Sequence, residues 1–430
     1  MRQLKWKLTV GLGAVALLAA GCGTTSSNSA SSSSGGTSSA TAATGSAATA
    51  ATGAAGGASG PIVVGGLQDG NYPGIDTGFK ARIARFNNQG GIDGRKIQFV
   101  GELNDGDSLT NDLSNAQTLV LKDHVFAVAP ISDEVLNPAS VQLFTQNTTP
   151  FIGWGLSPAL CDNNWGFPIA GCEATPSYQS TLALIQAAQA ISKPVKGLKV
   201  AVIGTDNSGG KAGTDGIIAT NKIMGADVVY GQAPVPQDGT TDYTPYVQAI
   251  MAGNPDMVEL VVNFQAAVGL SVALRQAGYK GALWNPSAYL PGLLTSQPQL
   301  AQALNGSLVV ANFPPGEQGS AASLQVESDL KAVGASPVYS LPEAVGWWSG
   351  EELIQELQAT AAKGPLTQAN FEKVINAGWT IKGMSGGITS LTFPLDHSRS
   401  TGCYGLLIAD GNHYVMKAPY TCVPADTVKV

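Results

Sequence analysis

Two glycine-rich stretches pair residue types with spacings that can do chemistry. Gly383-Met384-Ser385-Gly386-Gly387 fits G-x-S-x-G, in which a sharp strand-to-helix turn exposes a serine nucleophile. That use needs a helix after the serine, yet Ile388–Phe393 alternates apolar and polar residues as a strand does. Asp396 and His397 adjoin each other in sequence, which suits separate triad roles poorly. The stretch reads as a glycine turn, with a secreted serine hydrolase centred on Ser385 as the enzyme alternative. Gly204-Thr205-Asp206-Asn207-Ser208-Gly209-Gly210-Lys211 has the strand–loop–helix setting of a phosphate loop. An extra glycine precedes Lys211, however, and Ala212 stands where a Mg²⁺-binding hydroxyl is required. His124, His397 and His413 are scattered without metal-ligand spacing. The expectation is no catalytic residue, no metal and no cofactor.

Residues suited to binding gather instead in loops that would follow strands. In the first half these are Gly70, Asn71 and Tyr72, then Ser132 and Asp133, then Trp154, Gly155, Leu156 and Ser157. In the second half they are Asp206, Asn207 and Ser208, then Asn263, Phe264 and Gln265, then Asn285, Ser287 and Tyr289. Hydroxyls and free N–H groups at helix N-termini suit a carboxylate or similar anion. Trp154, Phe264 and Tyr289 can wall an apolar or planar portion of a ligand.

The elements that would position these loops begin with Ile62–Leu67, a short β-branched apolar run closed by Asp69-Gly70-Asn71. Ile75, Phe79, Ile83 and Phe86 then recur at helical spacing up to Gly90-Gly91, and Ile97–Leu103 reads as a second strand. Strand, helix and strand in this span form a βαβ unit, whose ligands sit beyond the carboxyl ends of parallel strands. The alternation continues through a helix at Leu109–Leu121, strand Val125–Ala129, helix Pro138–Gln146 and strand Pro150–Gly153. After an apolar helix at Tyr178–Ile191, strand Leu198–Gly204 opens a second series. This runs through a helix near Gly213–Met224, strand Asp227–Tyr230, helix Thr244–Ala252, strand Met257–Val262, helix Ala266–Ala277 and strands Ala282–Trp284 and Ser307–Ala311. Two βα series in tandem predict an α/β fold of two doubly wound, Rossmann-like lobes. Trp347-Trp348 falls in a helical pattern with Ile354 and Leu357 and reads as core.

The chain opens on a targeting pattern. Arg2, Lys5 and Lys7 precede the apolar run Leu8–Ala20, and Ala19-Ala20-Gly21-Cys22 resembles a bacterial lipobox. That resemblance implies cleavage before Cys22 and its lipidation, anchoring the chain to the outside of a bacterial cell membrane. Residues 23–60 are almost wholly Ser, Ala, Thr and Gly, a tether unable to bury enough surface to order itself. The net charge of -7, with no basic stripe, excludes nucleic acid as a partner. Of the remaining four cysteines, Cys403 and Cys422 flank two strand-like runs around Asp410-Gly411-Asn412, and Cys161 and Cys172 enclose a short loop. Two local disulfides, Cys161–Cys172 and Cys403–Cys422, are expected.

Phe86-Asn87-Asn88-Gln89-Gly90-Gly91-Ile92-Asp93-Gly94-Arg95-Lys96-Ile97 resembles the IN…GGI.G.KI segment of type 1 periplasmic binding proteins, in the Leu/Ile/Val-binding branch of ABC-importer receptors. The similarity extends through Asn104-Asp105-Gly106-Asp107, Pro138-Ala139-Ser140, Tyr243-Thr244-Pro245-Tyr246 and Leu341–Gly346. It implies two lobes around a central ligand cleft, with crossings near Thr175, Asn312 and Pro394. Lobe 1 would then be 61–175 plus 313–394, and lobe 2 would be 176–312 plus 395–430. It further implies a monomeric, non-enzymatic receptor that closes on an amino acid or a related small carboxylate, amide or aromatic acid and docks on an ABC permease. A sensor handing its closed form to a signalling partner is the alternative. Amino-acid binders of this branch carry an acidic residue for the ligand's ammonium in the loop matching Asn285–Tyr289; this chain has none there.

Overall fold

In the computed structural model, residues 60–173, 178–237 and 239–422 are described. β1 (Ile62–Gln68) and β2 (Ile97–Asn104) run parallel across α1 (Ile75–Asn88), as the apolar spacing predicts. With α2 (Leu109–Gln117), β3 (Ala127–Ser132), α3 (Pro138–Gln146), β4 (Phe151–Gly153) and β5 (Gly166–Pro168) they build a parallel sheet of order β2-β1-β3-β4-β5. Strand β3 is buried along its whole length, the signature of a strand covered on both faces.

The second lobe starts with α4 (Tyr178–Ala190) and β6 (Lys199–Thr205) and continues through α5 (Ser208–Ile223), β7 (Asp227–Val235), α6 (Thr244–Ala252), β8 (Met257–Val261), α7 (Phe264–Gln276) and β9 (Ala282–Asn285). Short helices α8 (Pro291–Ser296) and α9 (Pro298–Leu304) lead to β10 (Leu308–Ala311). The chain then returns to the first lobe, where α10 (Ala321–Ala332), α11 (Leu341–Ala361) and α12 (Gln368–Ile375) pack, α10 and α11 against α1. It crosses back for the hairpin β11 (Cys403–Asp410) and β12 (His413–Cys422), which completes a seven-stranded sheet of order β12-β11-β10-β9-β8-β6-β7. Only the last two strands run antiparallel to their neighbours. The two-lobed α/β architecture is thus the expected one.

The α1–α11 contact ties the returning segment to the first lobe. A Cβ on Gly78 would lie 1.9 Å from the carbonyl oxygen of Glu343, and one on Gly346 would lie 1.8 Å from that of Ile75. The two glycines therefore let the backbones meet directly, closer than any side chain permits. Beside this crossing Arg82 pairs with Glu351, Arg85 sits 3.0 Å from Asp329, and the Trp347 indole N–H donates to Asp329 at 2.8 Å. Trp347 and Trp348 are both buried, as their helical pattern suggests.

Some local expectations give way. Helix α5 begins at Ser208 rather than near Gly213, because the Asn207 side chain caps it by accepting the N–H of Gly210 at 2.6 Å. Ile388–Phe393 forms no strand. Ile388, Leu391 and Phe393 are buried, but the segment meets residues 379–381 in a single bridge, Thr380 to Thr392, with Ile381 N–H to Leu391 O and Phe393 N–H to Trp379 O both at 3.0 Å and the two threonine hydroxyls 3.1 Å apart, before Pro394 ends the pairing. Strand β5 was not foreseen; at three residues it is too short for periodicity to register. Both expected disulfides, Cys161–Cys172 and Cys403–Cys422, are formed. Cys22, the tether and the crossing at Thr175 lie outside the described residues.

Candidate functional site

The carboxyl ends of both sheets face one cavity of about 830 Å³, counting its open mouth. From the first lobe Tyr72, Glu134, Trp154, Leu156 and Glu173 line it. From the second come the glycine-rich start of α5, with Ile217 one face further along, and the strand-end residues Val261, Trp284, Val310 and Tyr404. Pro286, Ser287 and Asn312 complete the rim. The walls are thus aromatic and aliphatic, interrupted by two carboxyl groups. None of the described lining residues is Lys, Arg or His.

Glu134 joins the lobes. Its carboxylate accepts the Tyr72 hydroxyl at 3.0 Å and the Asn207 side-chain N–H at 2.9 Å. Its backbone carbonyl accepts Gly209 N–H at 3.1 Å and the Ser208 hydroxyl at 3.2 Å. A further bridge runs from the Gln237 side chain to the Asp107 carbonyl at 3.1 Å. The close approach requires Gly209, since a Cβ there would fall 2.7 Å from Glu134 O and 3.1 Å from Leu156 O. Burial raises the Glu134 pKa, while the Asn207 and Tyr72 donors hold it down. Asp69, whose carboxylate receives the N–H groups of Asn71 and Glu134, is pushed up to about 7 by burial and then by the charge of Glu134.

Glu173 is the second carboxyl. Its N–H bonds Gly155 O at 3.1 Å, and the preceding Cys172 is fixed by its disulfide and by a bond to Arg399 O at 3.0 Å. Burial pushes Glu173 up to about 7, against the lowering influence of the nearby Trp154 indole N–H. That pair does not complete a bond of ordinary geometry. Glu173 Oε1, Trp154 Nε1, Trp284 Nε1 and Tyr404 Oη are all buried on the cavity wall without a hydrogen-bond partner among the described residues. Buried polar atoms are costly to leave unpaired, at about 1–3 kcal/mol each. A ligand could satisfy several at once.

The strand-end residues singled out from the sequence divide into several groups. Tyr72, Trp154, Leu156 and Ser287 line the cavity, with Tyr72 and Trp154 meeting edge to face at 5.2 Å and the Ser287 hydroxyl donating to Val262 O at 2.9 Å. Ser208 lies on the seam between lobes. Gly155, Ser157 and Asn263 serve the loops: Gly155 packs against Gly171 O, Ser157 caps the turn after it, and Asn263 caps α7. Ser132 and Asp133 are buried off the cavity, with Asp133 in a group with Asp105 and Asp112 whose ligand atoms lie within 4.8 Å of one another. Phe264 packs on the core and Gln265 is exposed. Tyr289 turns away to donate to Glu317 at 2.6 Å. Glu134, Glu173, Trp284 and Tyr404 were not among the expected residues. The first was legible as the neighbour of Asp133 in a strand-end loop.

Ser385 does not stand on a strand-to-helix turn. No helix follows it, and its backbone carbonyl accepts Ala322 N–H at 3.2 Å. His397 is engaged with Gly166 O and Asn376 Oδ1, and Asp396 with Thr392 N–H and Arg399.

Comparison with known proteins agrees with this geometry. The family model described as periplasmic binding protein matches residues 62–410. The curated proteins offer no sequence match. Among solved structures, a solute-binding protein of an R. palustris ABC transporter, in complex with 4-hydroxybenzoate, is similar at 17% identity and a TM-score of 0.68 over 85% of this chain and 98% of that one. A fatty acid ABC transporter substrate-binding protein from Thermomonospora curvata is similar at 18% identity and a TM-score of 0.70, over 86% of this chain and 94% of that one. A leucine-binding protein from Thermotoga maritima is similar at 14% and 0.64, over 85% and 100%.

Proposed function

The chain belongs to the periplasmic binding protein family, and from that premise we propose that it is a receptor that encloses a small, largely apolar organic solute between its lobes and hands it to an ABC permease. The observation that carries this reading is the cavity itself, whose walls come from both lobes and whose seam is closed by Glu134 against Asn207, Ser208 and Gly209. Separating the lobes would open that seam and release the solute, a hinge motion of the kind that two-lobed binding proteins use. Membership of the family implies an extracytoplasmic location. Lipidation of Cys22 would hold the receptor at the membrane surface, with the Ser/Ala/Thr/Gly tether giving it reach.

One of these solved relatives is in complex with 4-hydroxybenzoate, and the others are a fatty acid transporter's substrate-binding protein and a leucine-binding protein, so the fold accommodates aromatic and aliphatic bodies alike. Here Trp154, Leu156, Ile217 and Trp284 suit such a body. The test is a thermal-shift screen of the purified protein against amino acids, amines, amides, alcohols, and aromatic and aliphatic acids. A solute at a hundred times its dissociation constant stabilises the folded state by about 2.7 kcal/mol. Delivery is tested by reconstituting the permease and measuring ATP hydrolysis with and without the liganded receptor. Mass spectrometry of the membrane fraction, with Cys22→Ser as control, tests the anchor.

A further inference from the structure

Resting on the receptor reading and narrowing it, we infer that the solute presents an ammonium group to Glu173 and carries no free carboxylate beside it. The cavity holds two carboxyl side chains and no basic one among the described lining residues. The segment just beyond Glu173, residues 174–180, contains no Lys, Arg or His either. A carboxylate placed there would lie beside two carboxyl groups in a desolvated space, with no cation among the described lining residues to offset it.

The usual alternative for an anion is the N-terminus of a helix. At α5 those amides are already taken: Gly209 N–H by the Glu134 carbonyl, Gly210 N–H by the Asn207 side chain, and Lys211 N–H by the Asn207 carbonyl. At α7 the Ala266 and Ala267 N–H groups are taken by Asn263. Glu134 is likewise engaged by Tyr72 and Asn207. Glu173 differs, because its Oε1 is buried on the wall and, among the described residues, receives no hydrogen bond of ordinary geometry, so it has an acceptor to offer to an N–H donor. Tyr72, Trp154, Trp284 and Tyr404 surround the same space, and the faces of aromatic rings attract ammonium groups. Carboxylate, indole and phenol rings together describe a site for a primary or substituted amine on an aryl or alkyl body.

Matched probes separate the classes. The purified protein is titrated with 2-phenylethylamine, phenylacetamide, phenylacetate and phenylalanine, and with hexylamine, hexanamide and hexanoate, reading thermal shift and then calorimetric affinity. The amines are expected to stabilise and to bind at least ten-fold tighter than their amide and acid counterparts. Phenylalanine is expected to bind more weakly than 2-phenylethylamine. Glu173→Gln keeps the shape and one acceptor oxygen but loses the charge, so amine affinity should fall at least ten-fold, whereas an acid held by a neutral Glu173 would bind the variant as well or better. Any acid, amide or amino acid outdoing its amine, or an amine-free ligand emerging from the wider screen, overturns the inference and leaves the receptor reading standing. Silence from every probe and from the wider screen contradicts the receptor reading and this inference with it.

Discussion

Gly209, at the start of the helix that heads the second lobe's binding loop, gives its backbone N–H to the carbonyl of Glu134 in the first lobe at 3.1 Å. The two backbones meet there because no Cβ intervenes. Gly209→Ala should prop the seam open, at a cost of about 1–3 kcal/mol for overpacking in the closed form. We expect roughly ten-fold weaker solute binding, since 1.4 kcal/mol corresponds to a factor of ten. X-ray scattering of the variant should give a larger radius of gyration than wild type.

Asn207→Ala removes two things at once, the cap on α5 and the donor to Glu134. The cap alone is worth about 1 kcal/mol. Asn207→Asp keeps the cap but sets a carboxylate against Glu134. We therefore expect Asn207→Ala to lower both stability and affinity. Asn207→Asp should lower affinity more than stability at pH 8 and recover it near pH 5, as measured by calorimetry at the two pH values.

Stability should fall as the pH rises. Glu352 and Glu356 lie one turn apart in α11, fully buried, with their carboxyl oxygens unpartnered among the described residues. Burial, and for Glu352 also the charges of Glu356 and Asp396, raises their pKa values well above the ordinary 4.5. Glu102 and Glu259 are each pushed up to about 8 by burial. A carboxyl whose folded pKa exceeds its unfolded one contributes stability fully below the unfolded value and loses it as pH climbs toward the folded one. The melting temperature should therefore decline from about pH 5 to pH 9. Glu352→Gln/Glu356→Gln should flatten that decline, and an unchanged slope would show that the pair does not govern it.

Cys403→Ser/Cys422→Ser frees the ends of the last hairpin, whose strands are otherwise closed by that bridge. The loss should be about 3 kcal/mol, the chain-entropy figure for a loop of this length. Thermal denaturation with and without reductant checks it. The second lobe's seven-stranded sheet would lose its edge first, before the first lobe.

Architecture was legible in the sequence because buried parallel strands and amphipathic helices impose periods of two and 3.6 residues, and β1, α1 and β2 show them plainly. Ile388–Phe393 shows the limit. Leu391 and Phe393 alternate with Thr392 and are buried, but Ile388 is buried out of that phase, and beyond the single Thr380–Thr392 bridge no neighbouring strand among the described residues completes a ladder. The cavity wall was legible only in part. The strand-end rule leads to Tyr72, Trp154, Leu156 and Ser287, but not to the direction each side chain takes. Asp133 points to Asp105 and Asp112, while its neighbour Glu134 faces the other lobe. Tyr289 and Phe264 turn to packing instead. Glu173 follows a disulfide loop, and Tyr404 comes from the returning hairpin, so their meeting depends on the lobes being assembled.

The most direct measurement is a calorimetric titration of the strongest stabilising solute into wild type, Trp154→Ala and Ser132→Ala. Trp154 walls the cavity, whereas Ser132 is buried away from it. A solute held between the lobes predicts at least a ten-fold loss of affinity for Trp154→Ala, on the order of 1.4 kcal/mol or more, and wild-type affinity for Ser132→Ala. Unchanged binding in Trp154→Ala would contradict the account, because the solute would then sit elsewhere than between Trp154 and Trp284.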